Sequence, residues 1–310
     1  MAEKVIKSYK GFDSSLSCRD FQYEVGKEYE MDGRIKCCER GFHACESPLE
    51  VFDHYDMLKS RFAEVEQSGT IDREEGSTKV CSSRIKIKAE LKLADIINIG
   101  VEWLKDITSP SKVKTDSSLS DNGEGGKQIG SSGDYAKIGS SGYYAQIGSS
   151  GDYAKIGSSG YYAKIGSSGD YAQIGSSGDS AQIGSSGYYA KIGSSGYYAQ
   201  IGSSGDYAQI GSSGDSAQIG SSGDYAKIGS SGYYAKIDST GADSVIMCAG
   251  YKSKAKAKIG SWITLTEWVY NEEKGRYVPV CVKTEYVDGE NIKADTYYQL
   301  IEGVFTEVNE

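Results

Sequence analysis

Thirteen isoleucines stand at a spacing of nine, from Ile129 and Ile138 through to Ile228 and Ile237, without a gap. Ile246 keeps the same register after the surrounding text has decayed to "DSTGADSVI". A period this short and this regular constrains the chain more than any composition figure, because it calls for a stacked repeat architecture. Within each unit, "YAKI" or "YAQI" alternates as a strand does, with Ala and Ile to one side and Tyr and Lys or Gln to the other. The "GSSG" that follows supplies a corner, and its glycines are expected to take the positive φ angles of a tight turn. One such unit cannot bury its isoleucine alone, whereas a stack can, through a continuous ladder of Ile and Ala.

The substitutions set the number of units per coil. Taken alternately, the first outward position reads Tyr135, Tyr153, Tyr171, Tyr189, Tyr207, Tyr225 without exception. The intervening set reads Tyr144, Tyr162, Ser180, Tyr198, Ser216, Tyr234, so every serine falls in it. The preceding residue is mostly Asp in the first set and mostly Tyr in the second. Two alternating populations imply a true period of 18 residues (2 × 9), one strand on each of two opposite faces. Residues 129–237 then make about six coils, a rod on the order of 30 Å long at ~4.8 Å per strand layer. Both broad faces are expected to show a tyrosine column beside Lys or Gln, with Lys137, Lys155, Lys191 and Lys227 on the first. Tyrosine stacking stabilises such a coil. It also builds a flat amphipathic surface of the kind that binds proteins.

Three rival readings fit less well. A glycine–serine linker has no reason to keep an aliphatic residue at every ninth position. A calcium-loaded roll of nonapeptides needs a recurring Asp two residues after its last corner glycine and six to eight oxygens per ion. Here Asp follows that glycine immediately, and Tyr replaces it in about half the units. An ice-binding plane would carry threonine ladders, which this repeat lacks.

The net charge is −9, and the repeat contributes six Lys against seven Asp, so no segment is basic enough to follow a nucleic-acid backbone. The 25 tyrosines set the chain apart from disordered sequences, which are poor in aromatics. Neither a signal-peptide core nor a membrane-length apolar run is present. Seven cysteines, an odd number, fit a reducing compartment, and a cytoplasmic location is expected.

Residues 1–110 read as an α+β head. "KVIKSYKGF", "RFAEVEQSG" and "SSRIKIKAELKL" are strands, and "ESPLEVFDHYDML" is a helix begun at Ser47 and Pro48. In the last strand Ile85, Ile87, Ala89, Leu91 and Leu93 share one face, and Lys86, Lys88, Glu90 and Lys92 the other. Residues 111–128 form a linker, 129–259 the solenoid with a degenerate last coil, and 260–310 a small β domain with strands at "SWITLTEWVY", "RYVPVCVKTEYV" and "TYYQLIEGVFTEV". The flanking domains are expected to cover the rod's open ends, which otherwise pair with another molecule. Cys37-Cys38-x4-His43-x-Cys45 gathers thiols and an imidazole at a spacing that matches no zinc motif, so no metal site is assigned. His54 reads as a surface residue. No nucleophile–base order and no phosphate-binding glycine loop is present, and no cofactor is expected.

The segments "YKGFDSSLSCRDFQYEVGKEYE", "CERGFHACESPLEVFDHY" and "SRFAEVEQSG" resemble an N-terminal domain common in bacteriophage and prophage proteins. In such proteins a "W…L.EW…VDG..IK.DT.Y.L" module closes the chain, and here it reads Trp262, Leu265, Glu267, Trp268, Val287, Asp288, Gly289, Ile292, Lys293, Asp295, Thr296, Tyr298 and Leu300. The resemblance implies a viral or mobile-element origin. The order "YKGF…GFHACESPLEV…FAEVEQSG" is also similar to that of ADP-ribosyltransferase-like folds. That likeness implies Lys10, His43 and Glu90 at the NAD-holding positions, with Lys10 departing from the usual Arg or His.

The expected architecture is therefore an α+β head plus an all-β solenoid of two-strand, 18-residue coils, capped by a small C-terminal β domain. The expected function is a non-enzymatic, phage-derived binding or scaffold protein, in its concrete form a counter-defence inhibitor acting on a host or viral protein. An enzymatic head and a virion or tail accessory part are the alternatives.

Overall fold

The computed structural model describes residues 5–74, 77–107, 118–120 and 126–309. The chain divides into two compact units, residues 1–103 and 104–310. Among the described residues no helix is long and apolar enough to cross a membrane.

In the head, strands β1 (Ile6–Phe12), β2 (Ser17–Cys18), β3 (Phe21–Gln22), β4 (Glu28–Glu30), β5 (Phe42–Cys45), β6 (Arg61–Arg73) and β7 (Lys79–Leu91) precede helix α1 (Leu93–Ile107). The main sheet runs β4-β7-β5-β1-β6, and β6 also pairs with β7, so β1, β6, β7 and β5 close on themselves. Phe12, Phe42, Val65, Ile85 and Ile87 fill the core of this unit.

Three details depart from the sequence expectation. The helix anticipated at residues 46–58 is a five-residue 3-10 turn, Leu49–Asp53, entered from Pro48. Ala89 is exposed and Leu91 half-buried, so the inward face of β7 fades after Ile87, and Leu93 opens a helix instead of ending the strand. That helix buries Ile96, Ile97, Val101 and Leu104, spaced at helical intervals that the sequence reading passed over. It packs so closely on the 3-10 turn that a Cβ at Gly100 would lie 2.6 Å from Leu49 Cδ2.

The second unit is a β-solenoid of two parallel sheets, with eight rungs in each before the C-terminal strands. Within the repeat each rung pairs in parallel with the residue 18 positions on, as Ile138 with Ile156 and Ile147 with Ile165, and the first rung, Ser118–Ser120, pairs at an offset of 19. Every repeat isoleucine and every repeat alanine is buried. The expected linker, residues 111–128, lies mostly outside the described residues. Its described part already belongs to the rod: Ser118–Ser120 pairs with Lys137–Gly139, and Gln128 with Gln146.

The parity of the alternation holds, but the strand begins two residues later than the sequence implies. Each rung runs Lys/Gln-Ile-Gly-Ser, as in Lys155–Ser158, with Ile and Ser inward. Inward serine was not anticipated. In three coils its hydroxyl accepts from the corner amide two residues on, as Ser158 Oγ does from Gly160 N at 3.3 Å.

Tyrosine stands on the corner, outside the strand, and this corrects the expected broad-face column. Tyr135, Tyr144 and their successors adopt φ between +55° and +59°, and Ser180 and Ser216 take the same conformation at +55° and +57°. The positive φ thus falls on Tyr and Ser, and the repeat glycines do not carry it. What fixes the second corner glycine is crowding: a Cβ at Gly178 would lie 1.9 Å from the Gly160 carbonyl oxygen of the coil beneath. On the first sheet the first glycine is different, since a Cβ at Gly157, Gly175 or Gly193 meets nothing within 4 Å.

The C-terminal strands continue the same two sheets. Trp262–Asn271 pairs in parallel with Val245–Cys248 and then antiparallel with Arg276–Tyr286. Tyr298–Ile301 follows Lys254–Lys256 on the other sheet, and Val304–Glu307 ends it. The Glu267 carboxylate accepts from the Glu302 and Gly303 amides, both at 2.8 Å, tying the two sheets together. Parallel stacking therefore stops in antiparallel hairpins, which do not offer the next coil a matching template.

Candidate functional site

The head holds a cavity of about 1000 Å3 whose wall includes Lys10, Cys18, Arg19, His43 and Tyr55. Lys10 comes from the middle of β1 and is only 3% exposed. Its Nζ donates to the His43 carbonyl at 3.0 Å, to Tyr55 Oη at 3.2 Å and to Cys18 Sγ at 3.6 Å. The rings of Phe12, Tyr23 and Tyr55 stand 5.5–5.8 Å from it. Burial holds the Lys10 amine below the ordinary lysine range. Gly11 admits Tyr55 to this group, since a Cβ there would fall 2.3 Å from the Tyr55 ring.

Arg19 reaches the wall from a two-residue hairpin turn between β2 and β3. Arg19 and Asp20 both have positive φ, +49° and +62°, which matches the twist of a tight hairpin without the usual Asn-Gly. His43 is held at about 4 by burial first, then by the positive charges of Lys10, Lys79 and Arg19. Its Nε2 accepts from the Cys38 amide at 3.0 Å. A neutral imidazole is therefore the form present near neutrality.

Of the three residues implied by the transferase resemblance, the structure brings Lys10 and His43 together and places Glu90 elsewhere. Glu90 is exposed on β7, where Arg61 grips both its oxygens at 2.6 and 2.7 Å. It does not line the cavity.

Two further groups were invisible to sequence spacing. Cys81 is the cross-strand neighbour of His43, and with Cys37 the three side chains converge within 4.8 Å. Cys45, Glu50 and His54 form a second such group. The first joins Cys81 to residues about forty positions earlier, so a reading limited to residues 37–45 could not assemble it, and the second brings a strand end against the 3-10 turn that follows it. All seven cysteines are free thiols, and burial raises Cys81 to about 12. His54 is exposed, as expected.

On the rod, Tyr135, Tyr153, Tyr171, Tyr189, Tyr207 and Tyr225 form one unbroken stack. Successive ring centroids lie 4.8–5.0 Å apart and the planes within 11° of parallel. Each contact of this kind contributes about 0.5–1.5 kcal/mol beyond the area it buries. On the opposite corner Tyr144 stacks on Tyr162 at 5.2 Å and Tyr143 on Tyr161 at 5.3 Å, and the stacking goes no further among the described residues. Ser180 and Ser216 isolate Tyr198, while Tyr234 meets Tyr251 edge-on at 5.8 Å.

The seven repeat aspartates tie successive coils together at the corners. Asp134, Asp152, Asp170, Asp179, Asp206, Asp215 and Asp224 each accept, through Oδ1, from the backbone amide 18 residues on, at 2.7–3.0 Å. Where Tyr replaces Asp this acceptor is lost and a ring is gained.

Beside the unbroken stack, Lys137, Lys155, Lys191 and Lys227 point outward from the first sheet and are exposed. Together with the outward glycines they line a shallow furrow of about 1050 Å3. The two faces are not alike, because the matching Lys164 and Gln182 on the second sheet are buried.

A family model described as a domain of unknown function (DUF7666) matches residues 6–99, so the head is similar to that domain. No curated protein and no solved structure matches the chain.

Proposed function

We propose that this chain is a binding or scaffold protein whose rod presents the Tyr135–Tyr225 edge and the adjoining lysines to a protein partner. One observation carries the reading. Ser180 and Ser216 hold the same left-handed corner as the tyrosines, so the coil closes without a ring at that position. A left-handed residue other than glycine is disfavoured by about 1–2 kcal/mol whether it is Tyr or Ser. Stacking recovers part of this at the tyrosine corners, yet the serine corners form without it. Closing the corner therefore does not require the unbroken stack on one edge, and its rings remain 38–68% exposed. Rigid tyrosines with few rotatable bonds are efficient binding groups.

The concrete form of the proposal is a phage-derived protein that blocks a bacterial immune effector. It is supported by the likeness of the chain's two ends to phage-encoded proteins. The transferase alternative is weakened by Glu90, which is committed to Arg61.

The test replaces Tyr153, Tyr171, Tyr189 and Tyr207 together by Ser in the full chain. The expected result is an unchanged far-ultraviolet spectrum and at least a tenfold drop in capture of one host protein from infected cells, equivalent to about 1.4 kcal/mol or more. Equal capture by both forms, with the rod intact, sinks the proposal.

A further inference from the structure

We infer that the head cavity is a binding site for a small oxyanion, a carboxylate or phosphate group whose charge pairs with the Lys10 amine, with Arg19 as the second cation at its wall.

The first argument is the company Lys10 keeps. A buried ammonium without a counter-ion is costly by several kcal/mol. Its three hydrogen-bond acceptors are a carbonyl, a phenol and a thiol, and among the described residues none is a carboxylate. Four carboxylates share the wall; Asp53 is exposed, and the other three are committed to other donors. Asp13 accepts from Ser15 and Ser17, Asp56 from the Leu58 and Lys59 amides, and Glu39 pairs with Lys36.

The second argument is the field. Lys10, Lys79 and Arg19 all act on His43 with the same sign, so three cations converge on one partly enclosed space. Cations focused on one hollow raise the local concentration of anions, even where carboxylates engaged elsewhere share its wall. Lys79 is shared with Glu74 at 3.2 Å, which leaves Lys10 as the buried cation without an anionic partner. The third argument is shape. The cavity volume far exceeds what one water or one lysine needs, and its wall adds Phe12, Tyr23 and Tyr55 around the amine. Aromatic walls with a few convergent polar groups are the usual make-up of a small-molecule site.

The experiment titrates the full chain at constant ionic strength with two probes, inorganic pyrophosphate and benzoate, by calorimetry. Saturable one-to-one binding of pyrophosphate assigns a phosphate ligand, and of benzoate a carboxylate. Either should weaken at least about tenfold in Lys10→Met and a few-fold in Arg19→Gln. Lys10→Met keeps the stem and removes the charge, so without ligand it should melt at or above the parent, as expected when a buried unpaired charge is replaced by an apolar group. A lysine that serves only the fold predicts the reverse, a lower melting temperature. Should Lys10→Met fail to fold, the exposed Arg19→Gln decides alone. No saturation with either probe up to about 10 mM, or undiminished binding in the variants, overturns the inference.

Discussion

The rod and the head solve the same problem of burying a small core with opposite means. In the rod, the repeat's strand pairings are translations of one another by 18 residues, and most positions have one duty repeated down the stack. In the head, the cavity depends on residues that meet once, from positions 10, 18, 43 and 55. Repetition makes the rod's demands severe but uniform. The head brings Lys10, Arg19 and Lys79 to one place. The rod thus displays its stacked rings along an edge, and the head gathers its polar groups around a hollow.

The sharpest way to probe the rod's uniformity is Gly178→Ala. Its Cβ would strike the Gly160 carbonyl of the coil below, and the clash involves backbone that cannot move without shifting the stack. A destabilisation of about 3 kcal/mol or more is expected in a urea melt followed by circular dichroism. A loss below ~1 kcal/mol would mean that the coils are not held at this spacing.

Acid separates the two units next. Both histidines lie in the head. His43 sits at about 4 when folded, against about 6.5 in the unfolded chain, so between these values the unfolded chain binds more protons. This stability is complete above pH 6.5 and falls away as the pH drops towards 4. The head should lose on the order of 2 kcal/mol across that window, allowing for solvent access, while the rod has no histidine to respond. Hydrogen exchange read by mass spectrometry resolves the units; equal acid sensitivity in both would contradict the assignment.

Asp152→Ala removes one acceptor for the Asp170 amide and should cost about 0.5–1.5 kcal/mol. Thermal melting measures it. The smallest effect belongs to Gly175→Ala, whose Cβ meets open space, so stability should stay level or rise by about 0.5 kcal/mol. Comparing this change with Gly178→Ala tests whether two glycines of one repeat differ only in what lies above and below them.

The same contrast explains what could be read from the amino-acid sequence. An isoleucine at every ninth position and the segregation of Ser180 and Ser216 into one set suffice for two strands per coil, because repetition turns tertiary packing into a local pattern. The corner was less legible. "YAKI" alternates correctly, but alternation alone does not say where the strand starts, and Tyr steps into the left-handed region just before it. General propensity assigns that conformation to glycine, but crowding between coils claims the second corner glycine for another reason. In the head, strands were legible and the hollow was not. Nothing near Lys10 in sequence announces that Tyr55 packs over Gly11, or that Cys81 will stand opposite His43.

The pairing of every residue with its counterpart two units on also limits how such a gene can change in length. Gain or loss of 18 codons adds or removes one layer of ~4.8 Å and leaves everything beyond it in place. A change of nine codons would rotate all later strands by half a turn. Serine-bearing corners would then interrupt the aromatic edge, and the closing hairpin would arrive on the wrong sheet. Rods of this design can therefore vary freely between relatives, but only in whole turns.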